Sequence, residues 1–346
     1  MENQLPKPDI VFVAKLAGVS AATVSRVINH PDQVRPGTRR KVELAIEKSG
    51  YIRNRAASAM HGKRSATIGV IIPTLANTIF AEVIQAFNET VSAQGYTLLL
   101  ASHGYDLEVE YKLARKLLEH RVDALVLVGL DHHSGVFRLI GEQPVPCLAI
   151  WNHAVDAAMP CIGVDNREAG RIAAEHLIAL GHQDVALIFP ETIENDRARD
   201  RMMAALDAFR ASGAEIGTGR QIRVPYSVAQ AKSACISILN RPDRPSALLC
   251  CNDVIAQGAV YAAARLGIRV PAELSIIGIG DFVGSAQMEP ALTSVRIPAQ
   301  SIGISAGQEI LRVIETGEHA AIRSSRIDLE LVMRGSTGIS RQLRQG

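Results

Sequence analysis

No apolar run in this 346-residue chain approaches the ~18 residues needed to cross a bilayer, so no membrane-spanning helix is expected. The opening residues MENQLPKPDI have no apolar core, which argues against a signal peptide and for a cytoplasmic protein. Cysteine is sparse and unpatterned. Cys147, Cys161, Cys235, Cys250 and Cys251 lack metal-ligand spacing, and three of them fall inside apolar strand or helix patterns, as buried free thiols do in a reducing compartment. Catalytic signatures are missing too: there is no P-loop, no G-x-S-x-G elbow and no H-E-x-x-H. GIGDFVG (278–284) nearly spells a dinucleotide fingerprint, but its spacing is one residue too long and it falls late in the series of strands. His132 and His133 are adjacent and point apart, which makes them poor joint metal ligands. Neither an enzyme, a cofactor nor a metal is expected.

Net charge is small, +2, but unevenly spread. Residues 1–65 carry 12 Lys/Arg against 5 Asp/Glu, and the remainder 25 against 30. A basic head on an acidic body implies that the head meets a polyanion and the body does not. Length and a 47% hydrophobic content fit two or three well-buried domains.

The head is organised around GVSAATVSRVIN (18–29). Asp9 can cap a first helix over the apolar residues Ile10, Val11, Val13, Ala14 and Ala17, Gly18 supplies the turn, and Ser20 caps a second helix with Val24, Val27 and Ile28 inward. Such a pair is either an ordinary surface hairpin or a helix-turn-helix. In the second case its outward residues Ser20, Ala21, Ala22, Thr23, Ser25, Arg26 and Asn29 suit a major groove. Ala21, Ala22 and Arg26 would read base edges, and the hydroxyl and amide side chains would set register on phosphates. A loop from His30 to Gly37 leads to a third helix, Thr38 to Ser49, packing Val42, Leu44, Ala45 and Ile46. Beyond it, Asn54 can cap a helix over Arg55–His61. At barely two turns it is marginal in water, so a plain linker and a conditional helix both fit.

From Thr67 the pattern turns to apolar, β-branched strands alternating with amphipathic helices, which predicts an α/β body of two doubly wound parallel sheets. The first series is IGVII (68–72), TLLLA (97–101), ALVLVG (124–129) and CLAI (147–150); the second begins with CIGV (161–164) and ends with LSIIGIG (274–280). Ligands of such sheets sit beyond the carboxyl ends of strands. That rule collects Leu75, Phe80, His103, Asp131, Trp151, Asp165, Arg201, Asn252, Asp253 and Asp281 as effector-site candidates. Carboxylates, amides, an Arg and an aromatic suit a hydroxyl-rich small molecule. Each also has a plain reading: Asp253 and Asp281 as N-caps, Trp151 as hinge packing, Arg201 as a solvated helix residue.

VAKLAGVSAATVSRVIN (13–29) resembles the N-terminal signature of the LacI/GalR family of bacterial transcription regulators, and the similarity runs to about Gly335. The resemblance implies a three-helix headpiece (1–52), a hinge helix or linker (53–66) and a periplasmic-binding-protein type I body. Its N-lobe would comprise 67–161 plus 293–322, and its C-lobe 162–292 plus 323–340. It further implies a homodimer on a palindromic duplex operator, with Thr38, Tyr51, Asn54, Arg55, Ala57 and Met60 also on DNA and Met60 as a minor-groove wedge. In the cleft it favours Arg201 and Asp253, then Asp281. Departures are Phe12 for Asp, Arg35 for Ser, Arg53 for Pro and Ala204 for Gly. The strings NTIFAEV (77–83), HGYD (103–106) and GSAQMEPALTSV (284–295) are most similar to the gluconate-repressor branch, which implies a sugar or sugar-acid effector with its carboxylate on Arg201. The ending ISRQLRQG has no Leu heptad for a tetramer-forming coiled coil, so a dimer is expected. The competing readings are a sugar-binding protein or a sugar-modifying enzyme without a DNA role. Salt-sensitive duplex binding by residues 1–65 would separate them from a regulator.

Overall fold

A computed structural model describes residues 8–52 and 64–340, and the chain divides into two compact units, Met1–Lys63 and Arg64–Gly346. The short helix expected over Arg55–His61, and with it Asn54, Arg55, Ala57 and Met60, lies outside the described residues.

The smaller unit holds α1 (Ile10–Ala17), α2 (Ala21–Asn29) and α3 (Pro36–Ser49). Local chemistry sets each start. Asp9 Oδ1 accepts the Phe12 amide at 2.8 Å, and Ser20 Oγ accepts that of Thr23 at 3.1 Å. Between α1 and α2, Gly18 takes φ +67°, a left-handed turn that L side chains rarely adopt. Val13, Val24, Val27 and Val42, with Ala14 and Ala45, make the core. Val11 and Leu44, expected inside, are exposed. Leu44 sits about 100° around its helix from the buried Ala45 and Val11 about 160° from the buried Val13, off the narrow stripe that three short helices can bury. The third helix starts two residues before Thr38, because Pro36 at its first position has φ preset for a helix; Arg35 offers no side-chain cap.

The larger unit contains two six-stranded sheets. The first is built from β1 (Thr67–Ile72), β2 (Thr97–Ser102), β3 (Ala124–Val128), β4 (Cys147–Asn152), β5 (Cys161–Val164) and β11 (Ser325–Arg326), ordered β11-β5-β4-β3-β1-β2 and parallel throughout. The second contains β6 (Val185–Phe189), β7 (Gln221–Arg223), β8 (Ala247–Cys250), β9 (Ser275–Gly280), β10 (Thr293–Arg296) and β12 (Glu330–Val332), ordered β12-β10-β9-β8-β6-β7. Only β12 is antiparallel to its neighbour. The strand CIGV therefore belongs to the first sheet, where Ile162 pairs with Ile150, and not to the second as expected. All four of its residues are buried, so its pattern reads alike in either sheet. The chain passes between lobes after Val164, Arg296 and Arg326, three or so residues beyond the expected crossings.

Helices cover both sheets. In the first lobe α4 (Thr78–Ser92) packs against α11 (Ala299–Thr316), and Gly303 lets their backbones approach, since a Cβ there would run into the Val83 carbonyl. Between these come α5 (Leu107–Glu119) and α6 (Ser134–Glu142), then α7 (Asn166–Ala179), α8 (Asp196–Ala211), α9 (Val228–Leu239) and α10 (Asp253–Arg265). Among the described residues, no single helix is long and apolar enough to cross a membrane.

Candidate DNA-reading helix and effector cleft

On the smaller unit, α2 turns Val24 and Val27 inward and leaves Ser20, Ala22 and Arg26 exposed. Arg26 forms no ion pair among the described residues, so its guanidinium is available to a phosphate or a guanine edge. The hydroxyls are partly engaged within the helix: Ser20 Oγ lies 2.9 Å from Thr23 Oγ1, and Asn29 Nδ2 donates to the Ser25 carbonyl at 2.7 Å. Tyr51 packs on the edge of the three-helix core, and Thr38 is half-buried at the start of α3.

On the larger unit, the carboxyl ends of both sheets face a cleft. Its inner cavity is lined from the first lobe by Asn77, Phe80, Tyr105 and Trp151, and from the second by Arg197, Arg201, Tyr226 and Asn252. Its volume is about 20 Å³, and an outer chamber of about 440 Å³ shares Asn77, Tyr105 and Tyr226 with it. Trp151 takes φ +83° at the end of β4, an unfavourable backbone for a bulky residue, and meets Phe80 at 5.2 Å between ring centroids. Tyr105 from the first lobe stacks on Tyr226 from the second at 5.6 Å. Burial pushes the Tyr105 hydroxyl up to about 12 and raises that of Tyr226 as well, so both remain neutral donors.

Arg201 is 4% exposed. Its Nε donates to Asn166 Oδ1 at 2.7 Å and its Nη1 to the Cys251 carbonyl at 3.0 Å, yet no carboxylate pairs with it among the described residues. Arg197, one turn earlier, has such a partner in Asp196 at 2.7 Å. Asn77 Oδ1 is buried without a hydrogen-bond partner among the described residues. Asn252 caps α10 through the Ile255 amide at 3.1 Å while lining the cavity.

Phe80, Trp151, Arg201 and Asn252 thus come together as the strand-end rule expected. Six other candidates do not line the cavity. Leu75 is 63% exposed on its loop. His103 is buried against Tyr105, with a centroid distance of 6.4 Å, and burial holds its ring below the ordinary histidine value. Asp131 forms a two-pronged ion pair with Arg199, at 2.6 and 2.9 Å. Asp165 caps α7 through the amides of Arg167 and Glu168 and borders a separate surface groove. Asp253 is consumed by the Phe282 amide at 3.0 Å and by the hydroxyls of Ser285 and Ser294. Burial raises its carboxyl and these three donors oppose the rise. Asp281 is held between Arg296 and Arg334 at 2.8 and 2.6 Å.

Comparison with known proteins settles the family. Residues 10–54 match the pattern of bacterial regulatory proteins of the lacI family, and residues 174–337 that of a periplasmic binding protein-like domain. The HTH-type transcriptional regulator GntR of Pseudomonas aeruginosa is 31% identical over 342 residues, covering 96% of each chain. The chain belongs to the lacI family. This lacI-family protein is also 30% identical to the HTH-type transcriptional regulator DegA of Bacillus subtilis, over 96% of its own length and 98% of the relative's. Among solved structures, the Lac repressor dimer bound to operator and the anti-inducer ONPF superposes with a TM-score of 0.82 at 27% identity, covering 96% of this chain and 99% of that one. The protein is a DNA-binding transcription regulator of the lacI family and not an enzyme.

In this lacI-family regulator the residues missed from sequence are Asn77, Tyr105, Arg197 and Tyr226. Arg197 was legible, because it stands four residues before Arg201 on one helix face. Tyr226 follows β7 closely, where the strand-end rule applies.

Proposed function

We propose that this regulator is a repressor that binds a palindromic operator as a homodimer under the control of a gluconate-like sugar-acid monoanion in the cleft. One observation carries the ligand class: Arg201 is a buried guanidinium on the cavity wall without a carboxylate partner among the described residues. A buried charge of that kind is costly unless something of opposite sign meets it. Arg197 and Asp196 neutralise each other, which leaves one positive charge for the ligand to balance. A carboxylate satisfies it through the guanidinium fork. Asn77 Oδ1 then accepts a hydroxyl, Asn252 donates to another, and Trp151 with Phe80 covers an apolar sugar face. The strings shared with the gluconate-repressor branch support the same class.

On DNA, Arg26 would read a guanine edge and the Ala21 and Ala22 methyls thymine methyls, while Ser20, Thr23, Ser25 and Asn29 set register on phosphates. Support for the dimer comes from the assembly named for the Lac repressor structure, and from the free edge of β2, where Leu99 and Leu100 are exposed. The test is a titration that follows Trp151 fluorescence with gluconate, 2-ketogluconate, 6-phosphogluconate, ribose and galactose. Saturation by gluconate or 2-ketogluconate, and weaker binding of the more highly charged phosphate ester, is expected. A response to ribose or galactose alone would remove the sugar-acid reading.

A further inference from the structure

Two carboxylates join the lobes of the larger unit without lining the cavity. Asp196, 2% exposed, is the first residue of α8 in the second lobe. Its Oδ2 accepts the Leu130 amide at 2.6 Å and Asn152 Nδ2 at 2.7 Å, both from the first lobe. Its Oδ1 accepts the Arg197 amide and Nη1 at 2.8 and 2.7 Å, and the same Nη1 reaches the Val128 carbonyl at 3.3 Å. Three residues along α8, Arg199 grips Asp131 of the first lobe. Gly129 makes the approach possible. It takes φ +95°, and a Cβ there would overlap Arg197 Nη1 and lie 3.0 Å from Asp196 Oδ1. One helical turn of the second lobe is thereby fastened to the Val128–Asp131 segment of the first.

The inner cavity behind this fastening, about 20 Å³, has room for roughly one water molecule. A six-carbon acid does not fit there unless the lobes move apart. We infer that Asp196 and Asp131 form a latch that holds the lobes closed, and that a sugar-acid effector reaches Arg201 only as this latch gives way. Both are positioning residues, and the inference rests on the cleft being the effector site. Apparent affinity falls with the fraction of molecules in the binding-competent arrangement, so a weaker latch raises it. The sign is opposite to that of a residue contacting the ligand, whose loss weakens binding.

The experiment uses the full chain and the variants Asp196→Asn and Asp131→Asn. Asp196→Asn sets its amide donor either against Arg197 or against the Leu130 amide and Asn152, and in both cases leaves Arg197 without its counter-charge. Asp131→Asn, at the surface, leaves the cavity wall untouched and acts through the lobes alone. Hydrogen exchange at the Leu130 amide reads the latch without any ligand, and calorimetry with D-gluconate reads affinity. Exchange at Leu130 should quicken about 10-fold or more in Asp196→Asn, and gluconate should bind roughly 10-fold tighter there and about 3-fold tighter in Asp131→Asn. Unchanged Leu130 protection in Asp196→Asn, or weaker gluconate binding in Asp131→Asn, overturns the latch. Faster exchange with no gluconate binding by any of the three proteins keeps the latch and discards the sugar-acid reading instead.

Discussion

Replacing Arg201 with Met keeps the length and much of the volume of the side chain while removing the charge. The cavity then loses its uncompensated cation, and a bound carboxylate loses a charge-assisted, forked contact worth about 1.5–3 kcal/mol. That corresponds to roughly 10- to 150-fold in affinity. The folded state feels two opposing changes. Asn166 Oδ1 and the Cys251 carbonyl each lose a donor, at about 1–3 kcal/mol apiece when left unpaired, while the desolvation cost of a buried guanidinium disappears. Melting temperature should therefore fall by only a few degrees, and the binding loss should stand out against it. Arg201→Lys is the companion variant: the charge survives but not the fork, so its affinity should fall between wild type and Met. Calorimetry with gluconate on all three proteins is the assay, with thermal melts to confirm folding. Gluconate binding to the Met variant within 3-fold of wild type would refute the assignment of the carboxylate to Arg201.

Asp200 offers a pH test. Burial first, then the neighbouring charge of Asp196, pushes its carboxyl up to about 6, against 3.8 for the free group. The folded state holds the proton more tightly, so stability falls as pH rises from about 4 to 6. Partial exposure screens the effect to about 1 kcal/mol. Asp200→Asn should melt about 2 °C higher than wild type at pH 7.5 and show no such gain at pH 4; equal gains at both would contradict the cause given. Arg26→Ala should weaken operator binding by about 1–3 kcal/mol and lower the salt slope by up to about 1, without altering gluconate affinity. Asp253→Ala removes the acceptor for Phe282, Ser285 and Ser294. Urea unfolding should show a loss of about 3 kcal/mol or more, because three buried donors are orphaned. A fully stable variant that fails to bind effector would return Asp253 to the ligand site.

The helix-turn-helix was legible because everything that fixes it is local: two caps, one glycine turn and an apolar stripe lie within about twenty residues. The cleft was half legible. Strand ends told which residues lie at the open edge of each sheet, and Phe80, Trp151, Arg201 and Asn252 followed from that. Which way a carboxylate turns there depends on partners remote in sequence. Asp253 is taken by Ser294, Asp281 by Arg334 and Asp131 by Arg199, and no spacing rule anticipates these pairings. The strand CIGV fails for a different reason: a strand buried on both faces carries no mark of the sheet it joins.

The threefold passage of the chain between lobes has a consequence for synthesis. The first sheet stops at Val164 and waits for Ser325, and α4 waits for α11, which ends at Thr316. About 150 residues separate Val164 from Thr316, so once the first part of the sheet is made a ribosome working at about 5–20 residues per second takes roughly 8–30 s to deliver the missing helix. Throughout that interval the face of α4 carrying Val83, Ala86 and Phe87, buried in the finished protein, has no α11 to cover it. The second lobe, which emerges between the two halves of the first in all but its edge strand β12, is the part that can fold first. A nascent chain arrested in this window should be the species that chaperones hold and proteases find.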